Sequence, residues 1–94
     1  MIFTWDDKKN EENVQKHGVS FKQAQEVFYD PLHLSKLDKR FSYFEERWIT
    51  VGSTSQSEIV VVANLFFDSD GEEVIRIISA RIATSRERKQ YEDY

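Results

Sequence analysis

The chain has 94 residues with 13 Lys and Arg against 17 Asp and Glu, a formal net charge of −4, and no Cys. That length holds one small domain, residues 1–94, with one modest core, and the lack of Cys excludes disulfides, thiol nucleophiles and thiolate zinc sites. No apolar run approaches the roughly 18 residues of a membrane-crossing helix and the start is not signal-like, so a soluble cytoplasmic protein is expected, and the acidic balance counts at first against nucleic acid.

Ile2-Phe3-Thr4-Trp5 reads as a short strand of β-branched and aromatic residues. Asp6 is placed to cap a helix from Asp7 to about Lys16, which Gly18 ends as a left-handed cap. Ser20 with Gln23 has the spacing of a capping box and opens a second helix, with Val19 and Ala24 placed as a hydrophobic staple. Phe21, Ala24, Val27 and Phe28 form its apolar face, and Asp30-Pro31 ends it. Leu32–Ser35 reads as a weak edge strand and Arg47–Gly52 as a further strand, followed by a hairpin loop over Ser53–Ser57. The nearly unbroken apolar run Ile59–Phe67 predicts a central strand covered on much of both faces. Asp68-Ser69-Asp70-Gly71 turns the chain into Val74–Ala80, and Thr84 with Glu87 opens a last helix to about Tyr91. The order predicts an α+β fold: two N-terminal helices and a C-terminal helix packed on an antiparallel sheet of about four strands.

The net charge conceals an asymmetry. Between Arg76 and Lys89 stand five basic residues (Arg76, Arg81, Arg86, Arg88, Lys89) and one acid, Glu87, a net +4 that leaves −8 for the rest. Arg presents a planar fork that matches phosphate oxygens bidentately. The plain alternative is a solvated face with Arg near a helix end. Arg76 argues against it, because a charge inside Val74-Ile75-Arg76-Ile77-Ile78 needs a partner, an open sheet face or a ligand. Strict alternation sets Arg76 and Arg81 on opposite faces, so both reach one ligand only if the strand bends or bulges near Ser79-Ala80.

His17 ends the first helix, on one face with Asn10, Asn13 and Val14. Its imidazole suits general acid or base work, and the plain alternative is a helix-end or buried histidine bonded to a neighbour. Glu46-Arg47 sets a carboxylate beside a guanidinium, able to orient a nucleophile and hold phosphate, or to form an ordinary ion pair. Lys9 lies on a polar helix and reads first as solvated. Asp68-x-Asp70-Gly71 slightly resembles a calcium loop, but its closing bidentate position falls on Ser79, and His17 and His33 lack metal-ligand spacing. No Gly-rich phosphate loop or nucleophile elbow is present, so no metal or cofactor is expected. RNA suits chemistry of this kind, since its 2′-OH is an internal nucleophile.

Trp5-Asp6, Lys9, Asn13 and Lys16-His17-Gly18-Val19-Ser20-Phe21 resemble the opening of the BrnT family of bacterial toxins. Ala24, Phe28, Asp30-Pro31, Glu46-Arg47 and Gly52 continue the pattern. Arg76-Ile77-Ile78-Ser79-Ala80-Arg81, Ala83, Arg86-Glu87-Arg88 and Tyr91 complete it, so the resemblance spans nearly the whole chain. It implies a RelE-like ribonuclease toxin of a type II toxin–antitoxin pair that stops translation by cutting RNA. It also implies a BrnA-like antitoxin with a ribbon-helix-helix DNA-binding domain, through which alone operator DNA is engaged, and no membrane partner. The motif positions suited to catalysis are His17, Glu46, Arg47, Arg76 and Arg81, with Lys9, Arg86 and Arg88 as RNA contacts; Trp5 and Tyr91 match as core or stacking residues. Two departures stand out: Ile82 replaces a position often basic or polar in the family, and Ser35–Phe44 matches little.

The leading expectation is a metal-independent endoribonuclease. A non-catalytic module that docks RNA or an acidic partner through the Arg-rich segment is the alternative. An antitoxin or repressor fits poorly, because no helix-turn-helix or ribbon-helix-helix signal is present.

Overall fold

The computed structural model describes residues 1–40 and 45–93. Ile2–Thr4 forms β1. Asp6 caps α1, Asp7–His17, by accepting the N–H groups of Lys8 and Lys9 at 2.9 and 3.1 Å. These bonds satisfy two orphan donors of the first turn, and the Lys9 bond foremost holds the Asp6 carboxyl below its ordinary value. Gly18 closes α1 at φ +71°, a left-handed conformation that favours glycine, and its N–H donates to the Val14 carbonyl.

Ser20 and Gln23 form the predicted capping box and open α2, Phe21–Ala24. The expectation of one helix reaching Asp30 needs correction, because α2 tightens after four residues into a 3₁₀ helix, Gln25–Tyr29. Phe21, Ala24 and Val27, all fully buried, recur every three residues, and a 3₁₀ turn keeps such a row in line. Val27 packs directly under Gly52, where an added Cβ would lie 2.8 Å from Val27 Cγ1.

The remaining elements are β2 (Leu34–Leu37), β3 (Trp48–Ser53), β4 (Ile59–Ser69), β5 (Glu72–Ile82) and α3 (Ser85–Glu92). The edge strand begins two residues later than predicted. Asp30 accepts the N–H of Leu32 on its side chain and that of His33 on its carbonyl, which fixes those residues as a turn. The strands form one sheet in the order β1-β5-β4-β3-β2. The expected antiparallel sheet of about four strands is therefore corrected to a mixed sheet of five, with β1 parallel to β5. A parallel pair is joined by a crossover rather than a hairpin, so no local turn signal announces it.

Alternation along β4 separates two faces of the sheet. One bears Val60, Val62, Ile75, Ile77 and Ala80, buried under Val19, Phe21, Ala24, Val27 and Phe28, with Phe3, Trp5 and Phe66 around them. This face also carries a polar ladder: Ser35 Oγ bonds Thr50 Oγ1 at 2.8 Å, which donates to Asn64 Oδ1 at 2.9 Å. The other face is covered at one end by α3, where Tyr91 packs with Ile59, Val61, Ala83, Ile49 and Val51.

Asn13 fixes α1 to the sheet. β1 pairs with Val74–Arg76 of β5, and past that stretch Asn13 takes its place at the strand edge. Its Nδ2 donates to the Ala80 and Val19 carbonyls, both at 2.8 Å, and its Oδ1 accepts the Ala80 N–H at 3.1 Å. Asn10 Oδ1 accepts the Phe21 N–H at 2.8 Å, which joins α1 to α2.

Candidate nucleic-acid interface

On the less covered face, β4 presents Leu65, Ala63 and Val61, and their partners on β5 are Arg76, Ser79 and Arg81. The pairing slips by one between Ala63 and Asn64, which leaves Ile78 as an extra residue on β5. This bulge reverses the alternation and brings Arg76 and Arg81 to the same face. Arg76 is half-buried and flanked by its register partners Thr4 on β1 and Leu65 on β4. Among the described residues no hydrogen bond or ion pair engages its guanidinium; its charge helps to lower the Asp6 carboxyl.

Arg47 joins this arrangement through register. The Asp38 N–H donates to the Arg47 carbonyl at 2.7 Å, extending the β2–β3 ladder one step beyond Leu37 and Trp48. Continued from Trp48↔Asn64, the count sets Arg47 opposite Leu65, in the row of Arg76. Two strand spacings, about 10 Å, separate the two backbones. Arg47 is partly buried, and its Nη2 lies 3.8 Å from Glu45 Oε1. Glu46 beside it is exposed. The next row holds Ser79, Ala63, Ile49 and Lys36, the last exposed on β2.

Arg81, on the same face, is engaged by a carboxylate. Its Nη1 and Nη2 donate to Glu87 Oε1 and Oε2 at 2.7 and 2.8 Å, a bidentate pair at the root of α3. That pairing lowers the Glu87 carboxyl to about 2 and raises the Arg81 guanidinium. Glu87 also accepts the Thr84 N–H at 2.9 Å within the predicted capping box. The far end of α3 is tied down by the Tyr91 hydroxyl, which donates to Asp30 Oδ2. Burial first, and then the Asp30 bond, push the Tyr91 phenol up to about 12. Burial would raise the Asp30 carboxyl, but the Tyr91 hydroxyl and the N–H groups of Leu32 and Ser53 outweigh it.

The other sequence candidates lie apart. His17 is exposed in the last turn of α1, one turn beyond Asn13, and its side chain makes no hydrogen bond or ion pair among the described residues. Lys9, Arg86 and Arg88 are exposed on α1 and α3. Trp5 packs edge-on against Phe21 at 6.2 Å in the covered core. Part of the poorly matching stretch, residues 41–44, lies outside the described residues. Lys36 and the Glu87 engagement of Arg81 were missed from the sequence. Alternation along β2 points to Lys36 only once the register is known, and the Thr84–Glu87 spacing by itself indicates a cap, not an ion pair.

A groove of about 530 Å³ runs between β2–β3 and α3, with Leu34, Ile49 and Val51 opposite Gln90 and Tyr91. Among the described residues no group of three or more His, Asp or Glu is arranged to hold a metal ion. Among the same residues no helix is long and apolar enough to cross a membrane.

An α+β domain with arginines gathered on an uncovered sheet face fits a protein that handles phosphate polymers, and comparison with known proteins gives that class a family. The family model described as the ribonuclease toxin BrnT of type II toxin–antitoxin systems matches residues 5–87, and the chain belongs to that family. The match includes Arg76, Arg81 and Glu87 and ends before Tyr91. The fold is similar to the crystal structure of the Brucella abortus ribonuclease toxin BrnT, with a TM-score of 0.59 and 22% identity, covering 90% of this chain and 100% of that one. No curated protein sequence matches the chain.

Proposed function

We propose that the protein is a metal-independent endoribonuclease that binds single-stranded RNA on the open sheet face and arrests translation in the cytoplasm. Its neutralising partner is then a BrnA-like ribbon-helix-helix antitoxin, which alone contacts operator DNA. The observation that carries this reading is the Ile78 bulge, which sets Arg76 on the open face, without a hydrogen-bond or ion-pair partner among the described residues, and in one row with Arg47. A half-buried guanidinium in an apolar strand is costly unless a counter-charge satisfies it, and a phosphate does so with matching geometry.

In this mechanism a base takes the proton of a 2′-OH, whose oxygen attacks the adjacent phosphorus. Arg76 and Arg47 stabilise the charge that builds on the non-bridging oxygens. The 5′-oxygen leaves with a proton from an acid, giving a 2′,3′-cyclic phosphate and a 5′-OH end. Because the nucleophile belongs to the substrate, two proton carriers and a cationic clamp suffice. His17, one turn of α1 beyond Asn13, and Glu46, beside Arg47, are the candidates for those two roles. Arg81 acts chiefly by holding α3, and Lys9, Arg86 and Arg88 contribute long-range attraction.

The test is cleavage of an end-labelled RNA by purified protein in EDTA. Undiminished cleavage yielding cyclic phosphate ends is expected, with a loss of at least a hundredfold on Arg76→Ala. Inhibition by chelation would refute the metal-free route, and full activity of Arg76→Ala would refute the clamp. One observation favours a second reading, a non-catalytic RNA-binding module: among the described residues neither His17 nor Glu46 is hydrogen-bonded to Arg76, Arg47 or Arg81. Growth arrest and RNA binding without cleaved RNA would decide for that module.

A further inference from the structure

We infer that the groove between β2–β3 and α3 is a nucleobase subsite for the bound RNA strand, with Lys36 holding the phosphate at its mouth. This rests on the reading of the open face as the RNA site. Three cations lie in adjacent rows of that face: Arg76 on β5, Arg47 one residue before β3, and Lys36 on β2. Same-face rows are about 7 Å apart and strands about 5 Å, so successive cations stand roughly 8–10 Å apart at the backbone. A strand that follows them crosses the sheet and arrives at the groove, which Lys36 also lines.

The chemistry of the groove selects a base rather than a second phosphate. Leu34, Ile49 and Val51 give an apolar floor, and Tyr91 adds an aromatic wall. Two carboxylates line it, those of Glu87 and Asp93. Glu87 is neutralised by Arg81, whereas the Asp93 charge repels phosphate and can accept a hydrogen bond from a base amino group. The Gln90 side-chain amide offers both donor and acceptor to a base edge. The volume, about 530 Å³, falls within the range of roughly 300–1,000 Å³ typical of small-molecule pockets.

The test uses the full chain and fluorescent oligoribonucleotides made uncleavable by 2′-O-methylation, with Kd measured across a salt series. Wild type is expected to bind and to distinguish among the four homopolymers. Lys36→Ala should weaken binding roughly three- to tenfold and reduce the salt slope by about 0.7, the loss of one single-strand phosphate contact. Gln90→Ala, an exposed change that leaves the core intact, should flatten the base preference without altering the slope. Leu34→Trp, which fills the groove, should cost at least fivefold. Unchanged affinity, slope and preference in all three variants, while Arg76→Ala weakens binding, would overturn the subsite and leave the RNA reading standing. No RNA binding by wild type at any salt would instead overturn the RNA reading itself. If the variants lose neutralisation by the antitoxin but retain RNA binding and preference, the groove takes a protein segment and the inference fails.

Discussion

The two faces of the sheet are built to different ends. On the helix-covered face Phe21, Ala24, Val27, Val60, Val62, Ile75 and Ile77 are almost entirely shielded from water, and the only polar strand side chains buried among them in the described residues, Thr50 and Asn64, bond each other. On the other face the same strands present Arg76, Ser79, Ala63 and Lys36, and α3 covers one end through Tyr91 and the Arg81–Glu87 pair. A domain of this size needs one well-packed face for its stability. The other is then free to carry charge that packing would not tolerate. A chain of net charge −4 thus still sets Arg76, Arg47 and Lys36 together on the face where the sheet is least covered.

This division can be broken most severely from the covered side. Phe21→Ala removes a fully buried ring and should cost about 3–5 kcal/mol by urea denaturation. Arg76→Ala, on the open side, should cost less than about 1 kcal/mol. Equal losses would contradict the separation of roles.

Asn13→Ala comes next, at about 2–4 kcal/mol, because it strands the Ala80 N–H and carbonyl and the Val19 carbonyl in buried surroundings. Hydrogen exchange at Ala80 should then rise well above that of its neighbours. Protection unchanged at Ala80 would show that α1 is held by other contacts.

The smallest effect sharpens the comparison at the boundary between covered and open regions. Glu87 is lowered from 4.5 to about 2, so its contribution is present above pH 4.5 and lost as pH falls through 2. Glu87→Gln should cost under about 1 kcal/mol at neutral pH, since Arg81 remains partly exposed and water screens the pair. The variant should also flatten the stability-versus-pH curve between pH 4.5 and 2, read by thermal melts. An unchanged slope would show that the pair does not hold α3.

What the sequence disclosed was local. Asp6, Gly18, the Ser20–Gln23 box and the Thr84–Glu87 box all act within one turn, and each stands where it was expected. The parallel pairing of β1 with β5 was hidden, because Ile2 meets Val74 across most of the chain. Arg76 was legible as a charge inside an apolar strand, and the anticipated bulge is present one residue before Ser79. The row that joins Arg47 with Arg76 and leads to Lys36 was not legible, since it exists only after three strands are set in register. Asn10 and Asn13 were correctly set on one helix face with His17, yet their amides serve the backbone of α2 and β5 while His17 stays in water.

The central claim is that the open face, and not the helix layer, meets RNA. Its most direct test is an amide NMR titration of the full chain with an uncleavable single-stranded oligoribonucleotide. The account predicts shifts concentrated at Thr4, Lys36, Arg47, Leu65, Arg76 and Ser79, with α2 and the first two turns of α1 nearly silent. Shifts gathered on Lys9, Lys16, His17 and Lys22, with the Arg76 row unmoved, would contradict it.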